Sequence, residues 1–256
     1  MYLVYLGESG NTGTSTNDAN QPHHVHVGLL VHENHWVSMN GEFNALHRRH
    51  FGRPPADLDP LQELRPAHIH QGLGVFASWP PAKRAELIQD CLNILIRRET
   101  PMIVAYVNKG EFAQARANGA SPSSLLWQNP SESVINRLLF ALHMFMDELN
   151  TSGVTPDQIM EAAWPINDYA LVVAGEGGSV EPRFMAQFLK SEPEIPAPAV
   201  LENFCYVEPG HSPCTQLANL CAYLARRWLQ NPSAPQPYFD ALRDGKVVQV
   251  IYPVQF

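Results

Sequence analysis

The chain has 256 residues, of which 45% are hydrophobic and 16% are charged. This apolar content is ordinary for a globular protein and too high for an intrinsically disordered one. The 25 acidic residues outnumber the 17 basic ones and give a formal net charge of −8. That balance argues against non-specific duplex binding by the whole surface, but it leaves room for a local basic groove.

From the sequence we expect neither a targeting segment nor a membrane span. Its first residues, MYLVYL, lack the basic region that opens a secretory signal peptide. The most apolar helical stretch, residues 134–146, is too short to cross a bilayer. We therefore expect a cytoplasmic protein with no membrane contact. No C-x-x-C pair occurs, so the cysteines are expected to be buried free thiols; they are Cys91, Cys205, Cys214 and Cys221.

Strands and helices alternate along the first half of the chain. Short apolar runs predict strands, and apolar residues at helical spacing predict helices. The first two strands fit a hairpin with a long, glycine-rich loop. In chain order we predict strands over residues 2–6 and 23–31, a helix over 34–51, a short strand flanked by coil within 61–70, a helix over 80–98 and a strand over 101–108.

The second half continues the alternation. We predict a helix over residues 131–149 with Ser131 as its cap, a strand over 169–174, a helix over 180–190, a strand near 204–207, a helix over 215–229 and a strand over 246–252. Such alternation is typical of an α/β layered sheet. We expect a single domain over residues 1–256, in which 231–256 form a C-terminal strand extension.

Two predicted strands end in glycine-rich coil that carries an acid. Glu8 follows Gly7 after the first strand, and Glu176 follows Gly175 after the strand over residues 169–174. Functional sites collect at strand ends in α/β folds, because the sheet fixes the base of each loop while the loop stays exposed.

Together with a late helix, these segments resemble a known family. The motifs are Gly7-Glu8-Ser9-Gly10 after the first strand and Gln216-Leu217-Ala218-Asn219 on the helix over residues 215–229. They resemble the D-E-S-G and Q-x-A-D motifs of the domain-of-unknown-function 3800 family, which has an RNase H-like fold and occurs in bacteria, phages and mobile elements. The resemblance spans about residues 1–230 and implies an RNase H-like mixed β-sheet flanked by helices.

The resemblance also implies which residues would hold metal. Nucleases of this fold bind two divalent ions through a cluster of carboxylates. The matching positions here are Gly7, Glu63, Gly175 and Asn219, and only Glu63 keeps an acid. We therefore expect a catalytically degenerate nuclease fold, with no cofactor, that acts as a binding or assembly subunit in a bacterial, phage or mobile-element system, such as a defence system.

Two alternatives remain open. A metal-dependent nuclease would need a carboxylate site rebuilt from Glu8, Glu63 and Glu176, with Glu63 and Glu176 binding Mg²⁺ or Mn²⁺. However, Glu8 and Glu176 each lie one residue after the matching positions, Gly7 and Gly175. A shift of one residue on a strand turns a side chain to the opposite face.

The second alternative is a histidine-based metal hydrolase. If both segments are strands, His24 and His26 share one face, and so do His68 and His70, which lie near Glu63 in sequence. Two histidines and a carboxylate can hold zinc or iron.

Possible partners follow from charge. The basic pairs Arg48-Arg49 and Arg226-Arg227 lie on predicted helices. If the fold brings them together, they would form a groove that follows a phosphate backbone. We expect a protein partner or self-association, with nucleic acid binding through such a groove as a further possibility.

Overall fold

The computed structural model describes residues 1–11, 18–52, 63–118, 129–151, 168–181, 183–184, 199–201 and 203–254. The strands are β1 (Tyr2–Ser9), β2 (His23–His32), β3 (Met102–Asn108), β4 (Ala170–Gly175), β5 (Cys205–Val207) and β6 (Val248–Pro253). The helices are α1 (Glu33–Phe51), α2 (Pro66–Gln71), α3 (Pro81–Ile96), α4 (Lys109–Ala117), α5 (Pro130–Thr151), α6 (Pro213–Gln230) and α7 (Pro237–Asp244). Short 3-10 turns lie at Gly74–Phe76 and Pro209–His211.

One mixed sheet contains all six strands, in the order β5-β4-β1-β2-β3-β6. β1, β2 and β3 form an antiparallel meander. β4 and β5 continue from β1 in parallel, and β6 pairs in parallel with β3 at the other edge. The predicted α/β class, with a mixed sheet flanked by helices, is confirmed, as is the hairpin of the first two strands.

A separate apolar core covers each face of the sheet. Alternate residues of β1 point to opposite faces, so Tyr5 packs with one core and Val4 with the other. The first core lies under α1, α3, α6 and α7, and the second lies under α5. α6 packs against β1 and β2, near the centre of the sheet. The two faces of β1 therefore meet different helices, α6 on one side and α5 on the other.

Several local predictions were wrong. The strand expected within residues 61–70 is instead helix α2 over Pro66–Gln71, which begins with a proline in its first turn. The cap of α5 is Asn129, whose Oδ1 accepts from the Glu132 amide at 2.9 Å, whereas Ser131 lies inside the helix. α4 and α7 were not predicted. Most of the helix expected over 180–190 lies outside the described residues.

The cysteines are free, as expected, but not all are buried. Cys91, Cys214 and Cys221 are buried, and burial raises the pKa of each thiol. Cys205, in the edge strand β5, is exposed. Among the described residues, no helix is both long and apolar enough to cross a membrane.

Candidate functional site

A small cavity opens at the end of the sheet where β1 and β4 stop pairing. Their parallel ladder ends at the pair Tyr5 and Val173, and beyond it the chain encloses about 80 Å³. The lining residues include Glu8, His26, Gly175, Glu176, Thr215 and Asn219. Of the motif-bearing positions, Glu8, Gly175, Glu176 and Asn219 line this cavity, and Gly7 precedes Glu8 in β1.

Gly7 is a point of close approach between β1 and α6. A Cβ atom at this position would lie 2.1 Å from the carbonyl oxygen of Ala218 and 2.6 Å from the amide nitrogen of Asn219. Both are backbone atoms of α6, so neither can rotate away. The sequence suggested that Gly7 stands where a metal-binding acid is missing, but the structure leaves no space there for any side chain.

Glu8 lies on the opposite face of β1. It stands directly across from His26 in the antiparallel ladder, and its Oε1 lies 3.7 Å from Nε2 of His24. Ser179 donates to Oε2 of Glu8 from its amide at 3.0 Å and from its hydroxyl at 2.7 Å. Burial raises the pKa of Glu8, but the attraction of the two imidazoles in their protonated form and the Ser179 hydrogen bonds outweigh it, and the pKa is lowered overall.

His24 and His26 are buried side by side. They are 2% and 0% exposed, and their ring centroids are 5.0 Å apart. Burial lowers the pKa of both imidazoles, that of His24 to about 3. Both rings are therefore neutral near pH 7, which is the form that binds metal. The sequence placed these two histidines on one face, but it did not identify Glu8 as their carboxylate neighbour.

Asn219 joins α6 to the end of β1. Its Oδ1 accepts the amide of Glu8 at 3.0 Å. Because β1 no longer pairs with β4 at this point, the side chain of Asn219 satisfies a backbone donor that the sheet leaves free. Asn219 therefore has a structural role, because its side chain connects α6 to the end of β1.

Gln216, one turn earlier, makes two such bonds. It is 1% exposed. Its Oε1 accepts the buried amide of Leu64 at 3.0 Å, and its Nε2 donates to the carbonyl of Gly210 at 2.9 Å. The side chain therefore joins two separate loops to α6.

Replacing Gln216 with leucine is expected to lower the free energy of unfolding by about 2 kcal/mol, since it leaves a buried amide and a carbonyl without partners. Urea unfolding measures the change. Gln230→Leu is the matched control, because Gln230 ends the same helix with an exposed bond to Asn20 and should cost less than about 0.5 kcal/mol. Equal losses in the two variants would contradict the proposed role of Gln216.

Gly175 and Glu176 lie at the cavity, but Glu63 does not line it. A Cβ on Gly175 would lie 3.0 Å from Cγ of Pro209, a tight contact. Glu176 is exposed. Glu63 pairs with Arg65 at 3.4 Å, and the amide of its neighbour Leu64 donates to Gln216 of α6.

The other histidine pair does not form the expected arrangement. His68 and His70 lie on helix α2 rather than on a strand, and residues two apart on a helix do not share a face. His70 is exposed, and its Nδ1 lies 3.0 Å from the guanidinium of Arg227. This pair therefore does not face Glu63 as two strand residues would.

The basic pairs engage different partners. Arg49 pairs with Asp90 of α3. Arg226 donates from Nε to the hydroxyl of Ser9 at 2.9 Å, while Arg227 contacts His70. The groove that would need all four arginines side by side stays a prediction.

Comparison with known proteins gives no family assignment. No family model matches the chain, and no curated protein matches it. Functional conclusions therefore depend on the resemblance of its motifs and on the geometry of the site.

Proposed function

We propose that the chain is an RNase H-like domain whose two-metal nuclease site has been lost. The strand order supports the fold assignment. β3, β2, β1, β4 and β5 are neighbours in that order. β2 runs opposite to the other four strands, which are parallel to one another. This order and these directions are those expected of an RNase H-like sheet, and β6 adds one strand beyond β3.

The contact at Gly7 carries the proposal that catalysis has been lost. The motif resemblance implies that Gly7 stands at the position of one of the carboxylates that would hold the two metal ions. At that position the backbone of α6 lies against β1. Asn219 is neutral and already accepts the Glu8 amide, so it does not replace the missing charge.

A rebuilt carboxylate site has less support. Glu8 points away from α6 and is held by Ser179. Glu63 is paired with Arg65 outside the cavity. Of the three acids in this alternative, only Glu8 and Glu176 line the same cavity.

The proposed role is that of a non-catalytic binding or assembly subunit in a bacterial, phage or mobile-element system. It is supported by the motif resemblance together with the loss of the carboxylate site. The bound partner would be another protein, a second copy of the chain or a nucleic acid held by a local basic groove.

A histidine-based metal hydrolase is the second candidate function. One observation favours it: Glu8, His24 and His26 each offer a ligand atom, and these atoms lie within 4.8 Å of one another. This cluster lies on the α5 face of the sheet, so it does not depend on the lost carboxylate positions.

A nuclease assay in Mg²⁺ and in Mn²⁺ tests the loss of catalysis. We expect the protein to cleave single-stranded DNA, duplex DNA and RNA no faster than its Glu63→Ala and Glu176→Ala variants, because none holds a two-metal carboxylate cluster. Product formation is followed on labelled oligonucleotides. Mn²⁺-dependent cleavage that disappears in Glu63→Ala would overturn the proposal and favour the rebuilt nuclease.

A further inference from the structure

Three metal-ligating side chains meet where β1 ends and β2 begins. Glu8 and His26 are opposed in the antiparallel ladder, and His24 lies two residues earlier on the same face of β2. Each offers a ligand atom within 4.8 Å of the others. The residues come from two adjacent strands in the sheet, so the backbone fixes their relative positions.

Two buried nitrogen atoms of this cluster have no hydrogen-bond partner. They are Nε2 of His24 and Nδ1 of His26. Leaving a buried polar atom unpaired costs about 1–3 kcal/mol. A ligand that accepts lone pairs from these rings would remove that penalty.

Neighbouring hydroxyl groups contact all three ligands. The hydroxyl of Ser179 lies 3.3 Å from Nε2 of His26, which leaves Nδ1 of that ring without a partner. Ser179 holds Oε2 of Glu8 through its amide and its hydroxyl, which leaves Oε1 facing His24. The hydroxyl of Ser131 lies 3.3 Å from Nδ1 of His24, which leaves Nε2 facing Glu8. Outer hydrogen bonds of this kind fix the orientation of ligands in metal sites.

The distance between the carboxylate of Glu8 and the ring of His24 is close to that between two ligands of one metal ion. Oε1 of Glu8 and Nε2 of His24 are 3.7 Å apart. Two ligands bound to zinc at about 2.0–2.1 Å in a tetrahedron lie about 3.3 Å from each other. A shift of a few tenths of an ångström would bring both atoms into coordination.

We propose that Glu8, His24 and His26 bind one Zn²⁺ ion. Two imidazoles and one carboxylate suit zinc, whereas Mg²⁺ prefers oxygen ligands alone. Three protein ligands leave a fourth position for water, as in catalytic zinc sites. Glu8 and His26 also line the cavity. A water molecule at the fourth coordination position would therefore be in contact with the cavity. The site is independent of the proposed loss of the nuclease centre.

The second group of this kind in the described residues does not offer the same opportunity. His50, Glu86 and Asp90 also lie close together. However, Oδ2 of Asp90 already bonds Nε2 of His50 at 2.8 Å and pairs with Arg49. His50 and Asp90 are therefore already bonded to each other, and Asp90 is also paired with a cation.

Zinc titration of the metal-free protein tests the site. The chain is dialysed against a chelator, and Zn²⁺ binding is measured by competition with a chromophoric chelator. We expect one Zn²⁺ per chain, no comparable binding of Mg²⁺, and a rise in melting temperature with added Zn²⁺. Co²⁺ in place of Zn²⁺ should give the visible absorption of a four-coordinate site.

Matched variants separate this site from surface histidines. Glu8→Gln keeps the shape of the side chain but removes its charge and should weaken Zn²⁺ binding at least about 100-fold. Ser179→Ala should weaken it about 10–100-fold. The controls are Glu176→Gln, in the same cavity, and His70→Gln, an exposed histidine; both should stay within about twofold of the parent.

Circular dichroism establishes that each variant is folded. If Glu8→Gln does not fold, Ser179→Ala and the Co²⁺ spectrum of the parent decide the question. The proposal is overturned if the folded parent binds no stoichiometric Zn²⁺, or if binding is lost in His70→Gln and kept in the Glu8 and Ser179 variants. Cleavage by the parent in Mg²⁺ would overturn the proposed function without affecting this result.

Discussion

Replacing Gly7 with alanine is expected to lower the free energy of unfolding by more than about 3 kcal/mol, because it overpacks a buried contact. The new Cβ would lie 2.1 Å from the carbonyl oxygen of Ala218, so β1 and α6 would have to move apart. For a chain of this length the loss corresponds to a fall of about 6–12 °C in melting temperature. Urea and thermal unfolding measure it.

Gly41→Ala is the control for this prediction. Gly41 lies within α1, and a Cβ there would meet nothing within 4 Å. Alanine is the better helix former, so this variant should be more stable by about 0.5–1 kcal/mol. A Gly7→Ala protein as stable as the parent would show that the contact with α6 can relax. It would also reopen the possibility of a carboxylate at that position.

The second prediction with a large effect is that the burial of His47 makes the folded protein less stable in acid. Both ring nitrogens of His47 are buried without hydrogen-bond partners, and the ring lies between Phe43 and Phe51 at centroid distances of 4.9 and 4.8 Å. Burial, with a smaller contribution from the nearby charge of His50, lowers the pKa of His47 from 6.5 to about 4. The folded protein therefore resists protonation of this ring more than the unfolded chain does.

The sign of the pH dependence follows from this difference. Below pH 6.5 the unfolded chain binds a proton that the folded protein does not bind until about pH 4, so acid favours unfolding. The loss from this residue should reach about 2 kcal/mol at pH 5 and about 3 kcal/mol at pH 4.

His47→Leu isolates this contribution from those of other buried histidines. Urea unfolding of the parent and of the variant at pH 8, 6, 5 and 4 gives two pH profiles. We expect the stability difference between them to shift in favour of His47→Leu as the pH falls. Parallel profiles would mean that His47 is protonated as readily in the folded protein as in the unfolded chain.

The elements that could be predicted from the sequence are those with a strong local pattern. β1, β2, β3 and β4 are apolar runs bounded by polar or glycine-rich residues, and α5 and α6 have apolar residues at helical spacing. α2 was assigned to a strand because six residues show little periodicity. α4 has nine residues and begins with Lys109 and Gly110, and α7 has eight and follows a proline-rich segment. Helices this short give too few turns for a periodic pattern to stand out.

The candidate site was only partly predictable, because it depends on contacts between distant parts of the chain. His24 and His26 could be placed on one face, since side chains alternate along a strand. Their pairing with Glu8 depends on the register across a long loop, which the residues do not specify. Likewise, the role of Gly7 becomes visible only when α6, more than 200 residues later, is placed against it.

The position of β1 has a consequence for the order of folding. β1 and β2 lie in the middle of the sheet, yet β4 and α6, which pack against β1, come from the second half of the chain. During synthesis the antiparallel meander of β1, β2 and β3 can form early. Its α6-facing surface stays uncovered until Pro213–Gln230 has left the ribosome. Closing such long loops slows folding, and the nascent chain therefore exposes this apolar surface until α6 has been synthesised.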